Sequence, residues 1–367
     1  VRWSLILFFA ALPVSGADAQ LKYAVIVTRH GVRSPTWDAA QLRQYSAEAW
    51  PDWGVPAGYL TPHGRAAMLR MGSYYRRWLV SERLLPASGC DAKITVYADN
   101  DQRTVESGKA LAESLLPGCG VSTGFENRKK EDPLFAESLS GEVKMAFEAL
   151  RIRLEPSLVA QHRAAFETLE SILGSSSFAL KGPFAVGSTL AEDLLLEYTN
   201  GMQGKDLGWG RLTRENLLQT MEIHTTYEDL MSRTPDLYRA NRNFLEHVRK
   251  SMEQAVSGRP VNGAIGKPGD VLLVISGHDS NVANLAGLLG LSWKLQGYQP
   301  NDTPPGGALI FTLWQDPNGE RTVRVRYVAQ TPDQMRDLDA GDPQSQDLIV
   351  RGCAPCTWAA FERFRRR

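Results

Sequence analysis

Three times along the chain, a short β-branched run gives way to a polar loop and then to a helical pattern. This alternation limits the possible folds more than any other feature. The first run, Tyr23-Ala-Val-Ile-Val-Thr28, opens into Arg29-His-Gly-Val-Arg33. The second, Ile94-Thr-Val-Tyr97, opens into a polar loop ending at Arg103, and Val105, Leu111 and Leu115 follow at helical positions. The third, Val271-Leu-Leu-Val-Ile275, opens into Ser276-Gly-His-Asp279, and Val282, Leu285, Leu288 and Leu289 follow. Unbroken apolar runs of this length suit strands buried on both faces, with the intervening helices as cover. The fold class expected is α/β: a central, mostly parallel sheet flanked by helices.

The rest of the chain adds helices and one hairpin. Thr61-Pro62 is an N-cap followed by proline at the first helical position, and Met68, Met71, Tyr75, Trp78 and Leu79 then repeat at helical spacing. The stretch from about Ser138 to Val256 has helical periodicity and few strand signals, broken by a loop with four glycines between Gly201 and Gly210. It is expected to form a smaller, mainly helical inserted domain at 138–256, with 20–137 and 257–367 making up the α/β domain. Residues 307–314 and 322–328, joined by the turn Asp316-Pro-Asn-Gly319, predict a hairpin at a sheet edge.

Residues 1–19 read as an export leader. Arg2 precedes an apolar stretch from Leu5 to Val14 that is too short to span a bilayer, and Ala17-Asp-Ala19 fits a small-x-small cleavage site. A periplasmic or secreted product is expected. Cys90, Cys119, Cys353 and Cys356 allow three pairings in an oxidising compartment; the local pairing, 90 with 119 and 353 with 356, closes the shortest loops and is the one expected. The 41 basic and 41 acidic side chains balance. That argues against nucleic acid or an anionic membrane as partner.

In an open α/β sheet, ligands bind outside the carboxyl ends of the strands. Here the three loops deliver Arg29, His30, Arg33, Arg103, His278 and Asp279 to that place. Gathering three guanidinium groups is costly unless an anion sits between them, and their planar fork suits a tetrahedral oxyanion such as phosphate. His30, set between two arginines, is the candidate nucleophile, because nearby positive charge keeps its nitrogen neutral. Asp279 is the candidate proton donor and, once ionised, the activator of water. A donor of that kind predicts activity at acidic pH. A non-catalytic phosphate-binding protein would need the arginines but not Asp279. A metal-dependent hydrolase using His30, His278 and Asp279 as ligands is disfavoured, since the arginines would repel a cation.

Arg29-His-Gly-Val-Arg-Ser-Pro35 resembles the Arg-His-Gly-x-Arg-x-Pro signature of the histidine acid phosphatases, and His278-Asp279 resembles their His-Asp motif. Asp99-Asn-Asp-Gln-Arg-Thr104, Leu60-Thr-Pro62, Gly208-Trp-Gly210 and Thr303-Pro-Pro-Gly-Gly307 extend the likeness, which is nearest to the bacterial phytases and glucose-1-phosphatases. The resemblance implies a phosphohistidine at His30 and proton donation by Asp279. It also implies phosphate binding by Arg29, Arg33, Arg103 and His278, with no metal or other cofactor; Thr36 is a further phosphate-binding candidate, its alternative role being to end the turn. Small phosphorylated molecules are the implied substrates, either sugar phosphates or phytate. Trp37 stands where bacterial phytases commonly have a lysine, which favours sugar or aryl phosphates over phytate. Trp37, Met202, Gln203 and Asp206 are the residues expected at the substrate mouth.

Overall fold

The structure is a computed structural model describing residues 19–126, 132–135, 141–174, 183–235, 237 and 242–363. Residues 1–18, most of the expected leader, lie outside that set. Among the described residues, a mixed sheet of seven strands has the order β3-β2-β4-β1-β5-β6-β7. Its strands are β1 (Gln20–Arg29), β2 (Ile94–Ala98), β3 (Thr123–Gly124), β4 (Leu272–Gly277), β5 (Ala308–Gln315), β6 (Arg321–Ala329) and β7 (Gln344–Leu348). β1 and β2 both pair in parallel with β4, and β3 with β2. The three strands read from the sequence grammar therefore lie side by side as the parallel core. β5, β6 and β7 extend the sheet antiparallel beyond β1. The expected hairpin is present, but β7 covers β6, so the hairpin is interior and not at the edge. β7 reads Gln-Ser-Gln-Asp-Leu and is half exposed, so it carries no apolar run by which to find it.

Side chains alternate along β1, and each face meets its own helices. Ala24 and Ile26 pack with Met68, Met71, Tyr75 and Leu79 of α2 (Pro62–Ser81) and with Leu111 and Leu115 of α3 (Gln102–Leu115). On the other face, Tyr23, Val25 and Val27 share a core with Val248 and Met252 of α8 (Arg242–Ser257) and with Val282, Leu285 and Leu289 of α9 (Asp279–Leu289). Helices α5 (Arg163–Leu173), α6 (Pro183–Thr199) and α7 (Arg214–Arg233) enclose a third core around Leu169, Leu190, Leu194 and Met221. Among the described residues, no helix is long and apolar enough to cross a membrane.

Register brings the loops together. Arg29 stands opposite Gly277, and Ala98 opposite Ser276. The chain then continues the pairing, with His30 N donating to Gly277 O at 2.9 Å and Asp99 N to Ser276 O at 3.0 Å. Both cysteine pairs form locally as expected, Cys90 with Cys119 and Cys353 with Cys356. The second clips the chain beside β6, where Val323 N donates to Cys356 O at 2.8 Å. Two disulfides belong to an oxidising setting, secreted or periplasmic.

The start of α2 is pinned to the loop after β1. Thr61 N donates to Val32 O at 3.0 Å, and the Thr61 hydroxyl caps the helix by accepting from Gly64 N at 2.8 Å. A Cβ on Gly64 would lie 2.1 Å from Val32 O. The close approach therefore requires glycine. We expect Gly64→Ala to cost about 1–3 kcal/mol by urea unfolding and to lower turnover by displacing Arg33. An alanine variant of wild-type stability would show that this helix start does not set the loop.

Candidate active site

The carboxyl ends of β1, β2 and β4 open onto a cleft of about 520 Å3, walled by His30, Arg33, Arg103, His278 and Asp279, among others. Arg29 lies beneath, with 0% of its surface exposed. Its buried charge is met from several sides. Nη1 donates to Thr303 O at 2.8 Å, Nη2 pairs with Glu192, and Nη2 also lies 3.1 Å from Asp279 Oδ2. Glu192 binds Arg33 as well, at 2.9 Å. Burial alone would push the Glu192 carboxyl up, yet Arg33 and Arg29 hold it far below the usual carboxylate range. The two guanidinium groups are thus fixed before any ligand arrives.

The His30 ring is positioned by its own backbone. Nδ1 is 2.8 Å from Gly31 O, so Nδ1 carries the proton and the Nε2 lone pair is free. Burial first, and then Arg29, Arg103 and Arg33, lower its pKa well below the usual histidine value. A neutral imidazole nitrogen is the form able to attack phosphorus. The His278 ring lies edge-on to it, with centroids 5.7 Å apart. His278 Nε2 donates to Asp99 Oδ2 at 2.7 Å, and Nδ1 faces Arg103 Nη2 at 3.4 Å. Arg103 also pairs with Asp101 at 2.6 Å.

Asp279 starts α9, where its Oδ1 accepts from Ser280 N at 2.7 Å. Burial opposes its charge, but Arg29 outweighs burial and holds the carboxyl below the usual range. The resting group is therefore ionised. A protonated Asp279, as its role of acid requires, has to arise with the substrate.

Of the residues picked out in the sequence, Arg29, His30, Arg33, Arg103, His278 and Asp279 come together. Thr36 lies beside them, its Cγ2 and Arg103 Nη1 both within 3.7 Å of where a Cβ on Gly58 would stand. Trp37 does not wall this cleft. It stacks on Tyr45 at 5.2 Å and lines a separate pocket with Trp50 and Trp53. Met202, Gln203 and Asp206 also lie off the cleft wall: Met202 O accepts from Arg336 Nη2 at 2.9 Å, while Gln203 and Asp206 face solvent.

Sequence reasoning missed Glu192 and the part played by Asp99. The signal for Glu192 was present, since α6 carries Glu192, Asp193 and Glu197 inside an otherwise apolar helix. Oxygens and nitrogen of Asp99, Asp101 and His278 lie within 4.8 Å of one another, a spacing a metal could use. Here, however, Asp99 accepts from His278 and Arg103 occupies Asp101, so a cation would have to displace a guanidinium.

The comparisons with known proteins agree with this geometry. The family model for the histidine phosphatase superfamily, branch 2, matches residues 20–170 and 210–328. The chain belongs to that superfamily. It is 30% identical to phytase AppA of Escherichia coli K12, over 94% of this chain and 89% of that protein. To a glucose-1-phosphatase of Salmonella typhimurium it is 28% identical, over 91% of this chain and 88% of that protein. The solved structure of Hafnia alvei phytase with tartrate superposes with a TM-score of 0.85 at 31% identity, covering 95% and 97% of the two chains. This member of the superfamily is a phosphatase, a hydrolase of phosphate monoesters.

Three further buried carboxyls shape its pH behaviour. Burial pushes Glu197 up to about 8, Asp302 up to about 6, and Asp193 well above its usual value. Each folded pKa exceeds the unfolded one, so the folded state holds extra protons and stability falls as pH rises from about 4 toward 8. Glu192 and Asp279 act in the opposite sense. Their depressed values contribute stability that is present above about pH 4 and lost below it. The thermal midpoint should therefore peak in mild acid, and Glu197→Gln should flatten the decline toward alkaline pH. A midpoint climbing steadily from pH 4 to about 8 would contradict these assignments.

Proposed function

We propose that this phosphatase acts on small phosphomonoesters in acid through a covalent phosphohistidine at His30. The observation that carries the reading is a neutral, backbone-oriented imidazole facing into a ring of three buried or half-buried arginines. Phosphate oxygens would be held by Arg29, Arg33, Arg103 and His278, with Thr36 at the rim. Nε2 of His30 forms the bond to phosphorus as the ester P–O bond breaks. A protonated Asp279 gives its proton to the departing oxygen, and an alcohol leaves. The resulting carboxylate then takes a proton from water, which attacks the phosphohistidine and releases inorganic phosphate.

The proton for Asp279 is best supplied by the substrate. A phosphomonoester has a second pKa near about 6, so below that pH it enters as a monoanion carrying one proton. Its negative charge beside Asp279 also offsets the pull of Arg29, which raises the carboxyl's proton affinity. No metal takes part in any step.

Sugar phosphates and phytate both remain within the substrate class. Phytases and glucose-1-phosphatases resemble this chain about equally well in identity and coverage. For the domains, we propose that α4 (Gly141–Gln161) to α7 form the inserted helical part. We assign α8 to the sheet domain, because Val248 and Met252 share the core of β1 and β4. We also propose a periplasmic or secreted product that begins near Gln20 once a leader is removed.

His30→Ala should lose about four orders of magnitude in kcat, and rapid acid quench of wild type with labelled substrate should place phosphate on that imidazole. Asp279→Asn should slow alkyl phosphates by about 10²–10⁴-fold and aryl phosphates by less, because a phenolate leaves with little help from a proton. Rates should fall above about pH 6, and chelators should leave turnover unchanged. Full turnover by His30→Ala would overturn the mechanism.

A further inference from the structure

The loop after β1 carries three tryptophans that the phosphate cleft does not use. Trp37, Trp50 and Trp53 wall a second cavity of about 520 Å3, built from residues 34–57 and sharing no lining residue with the cleft. Each of these residues is half-buried, so part of its surface stays open. The aromatic walls are fixed before any ligand arrives. Trp37 stacks on Tyr45 at 5.2 Å, while Trp50 lies edge-on to Trp209 at 4.8 Å and donates from Nε1 to Leu42 O at 2.9 Å. Trp37 and Trp50 rest on the core of helices α5 to α7, and Trp53 rests on the core of β1 and β4. The cavity therefore sits on the seam between the helical part and the sheet. Apolar hollows with a few placed polar groups, at seams of this kind, are favoured places for small molecules to bind.

Asp38, Arg43 and Asp52 supply the charged part of the lining, and all three are exposed. Asp38 Oδ1 accepts from Ala40 N and Gln41 N, and Asp52 Oδ1 from Gly54 N, each at 2.9 Å. Oδ2 of both carboxylates has no partner among the described residues. Arg43 donates from Nε to Ala39 O at 3.1 Å and pairs with no carboxylate among the described residues. Trp53 Nε1 is a buried donor that no described residue takes. Two carboxylates against one guanidinium repel an anion, so this cavity is not a place for phosphate. Its charges equally disfavour a bare hydrocarbon chain, which would strip them of water and return no hydrogen bond. A sugar ring meets both demands. Its C–H face can lie on an indole, while its hydroxyls donate to carboxylate oxygens and accept from a guanidinium. We propose that this cavity is a non-catalytic site for an uncharged sugar, filled independently of the phosphate cleft. Such a site goes beyond the phosphatase activity, since it holds a saccharide that is not the one losing phosphate.

The test is titration calorimetry of the full chain in mild acid, with maltose and methyl α-D-glucopyranoside as probes. Each should bind saturably at one site, with a Kd of about 1 mM or tighter. Inorganic phosphate at saturation should leave the maltose Kd within about twofold, because the two sites are separate. Trp37→Ala should weaken maltose about tenfold or more, and Arg43→Ala and Asp52→Ala about three- to tenfold each. Trp37 also packs on Tyr45, so its loss can unsettle the loop. The exposed Arg43 and Asp52 carry the test in that event, and the thermal midpoints of their alanine variants should match wild type. 4-Nitrophenol, a flat ring with a single hydroxyl, should bind more weakly than maltose. Absence of saturable binding by both sugars up to about 50 mM would overturn the site. So would displacement of maltose by phosphate, or full maltose affinity in both Arg43→Ala and Asp52→Ala. Tighter binding of 4-nitrophenol than of maltose would overturn the sugar assignment and make the cavity a slot for aromatic rings.

Discussion

Two guanidinium groups at the end of β1 are withdrawn from water, and Glu192 of α6 is the carboxylate that makes this tolerable. β1 is buried on both faces, so the residue that ends it emerges into the interior. A lone buried charge there would cost several kcal/mol, and removing one partner from such a group typically costs about 3–5 kcal/mol. Glu192 touches Arg29 and Arg33 together, so one side chain neutralises and orients both. It also fixes how the helices dock. An otherwise apolar α6 must present its carboxylate face to the carboxyl edge of the sheet, or leave charges stranded. The phosphate clamp and the packing of the helices on the sheet are in this sense one interaction.

The same edge fixes the imidazole through the backbone. His30 N donates to Gly277 O, and His30 O accepts from Gly306 N, each at 2.9 Å. The residue is held between the chain leaving β4 and the chain entering β5. A Cβ on Gly307 would lie 2.3 Å from Tyr327 Oη, so the turn before β5 can pass close only as glycine. With Nδ1 committed to Gly31 O, little freedom is left to the ring. Donors fixed in advance, rather than gathered by the substrate, are the usual source of transition-state stabilisation in a site of this kind.

The parallel core was legible because its strands are apolar on both faces, and such runs stand out in any sequence. The six residues that meet at its edge were legible for the same reason: each directly follows, or lies a few residues beyond, one of those runs. β7 was not legible, since a half-exposed strand rich in glutamine has no apolar period to detect. Glu192 was visible only as an anomaly, a carboxylate in an apolar helix, and nothing in its own segment says which cation it meets. The expected mouth residues had only the resemblance behind them. The side chain of Trp37 turns from the cleft to stack on Tyr45, a choice made by packing with residues distant in sequence.

Charge balance then explains why such a site belongs in acid. In the resting protein, Arg29, Arg33 and Arg103 are already met by Glu192, Asp279 and Asp101. A phosphate dianion entering this set would add two negative charges to a cluster that is close to neutral. A monoanion adds one, and its proton can pass to the carboxylate whose partner it shares, Asp279. Glu192 cannot take that proton, because two arginines hold it ionised. The cluster thus separates its carboxylates by the number of guanidinium groups each one meets. The doubly bound Glu192 keeps the clamp rigid, and the singly bound Asp279 is left to accept a proton and give it away.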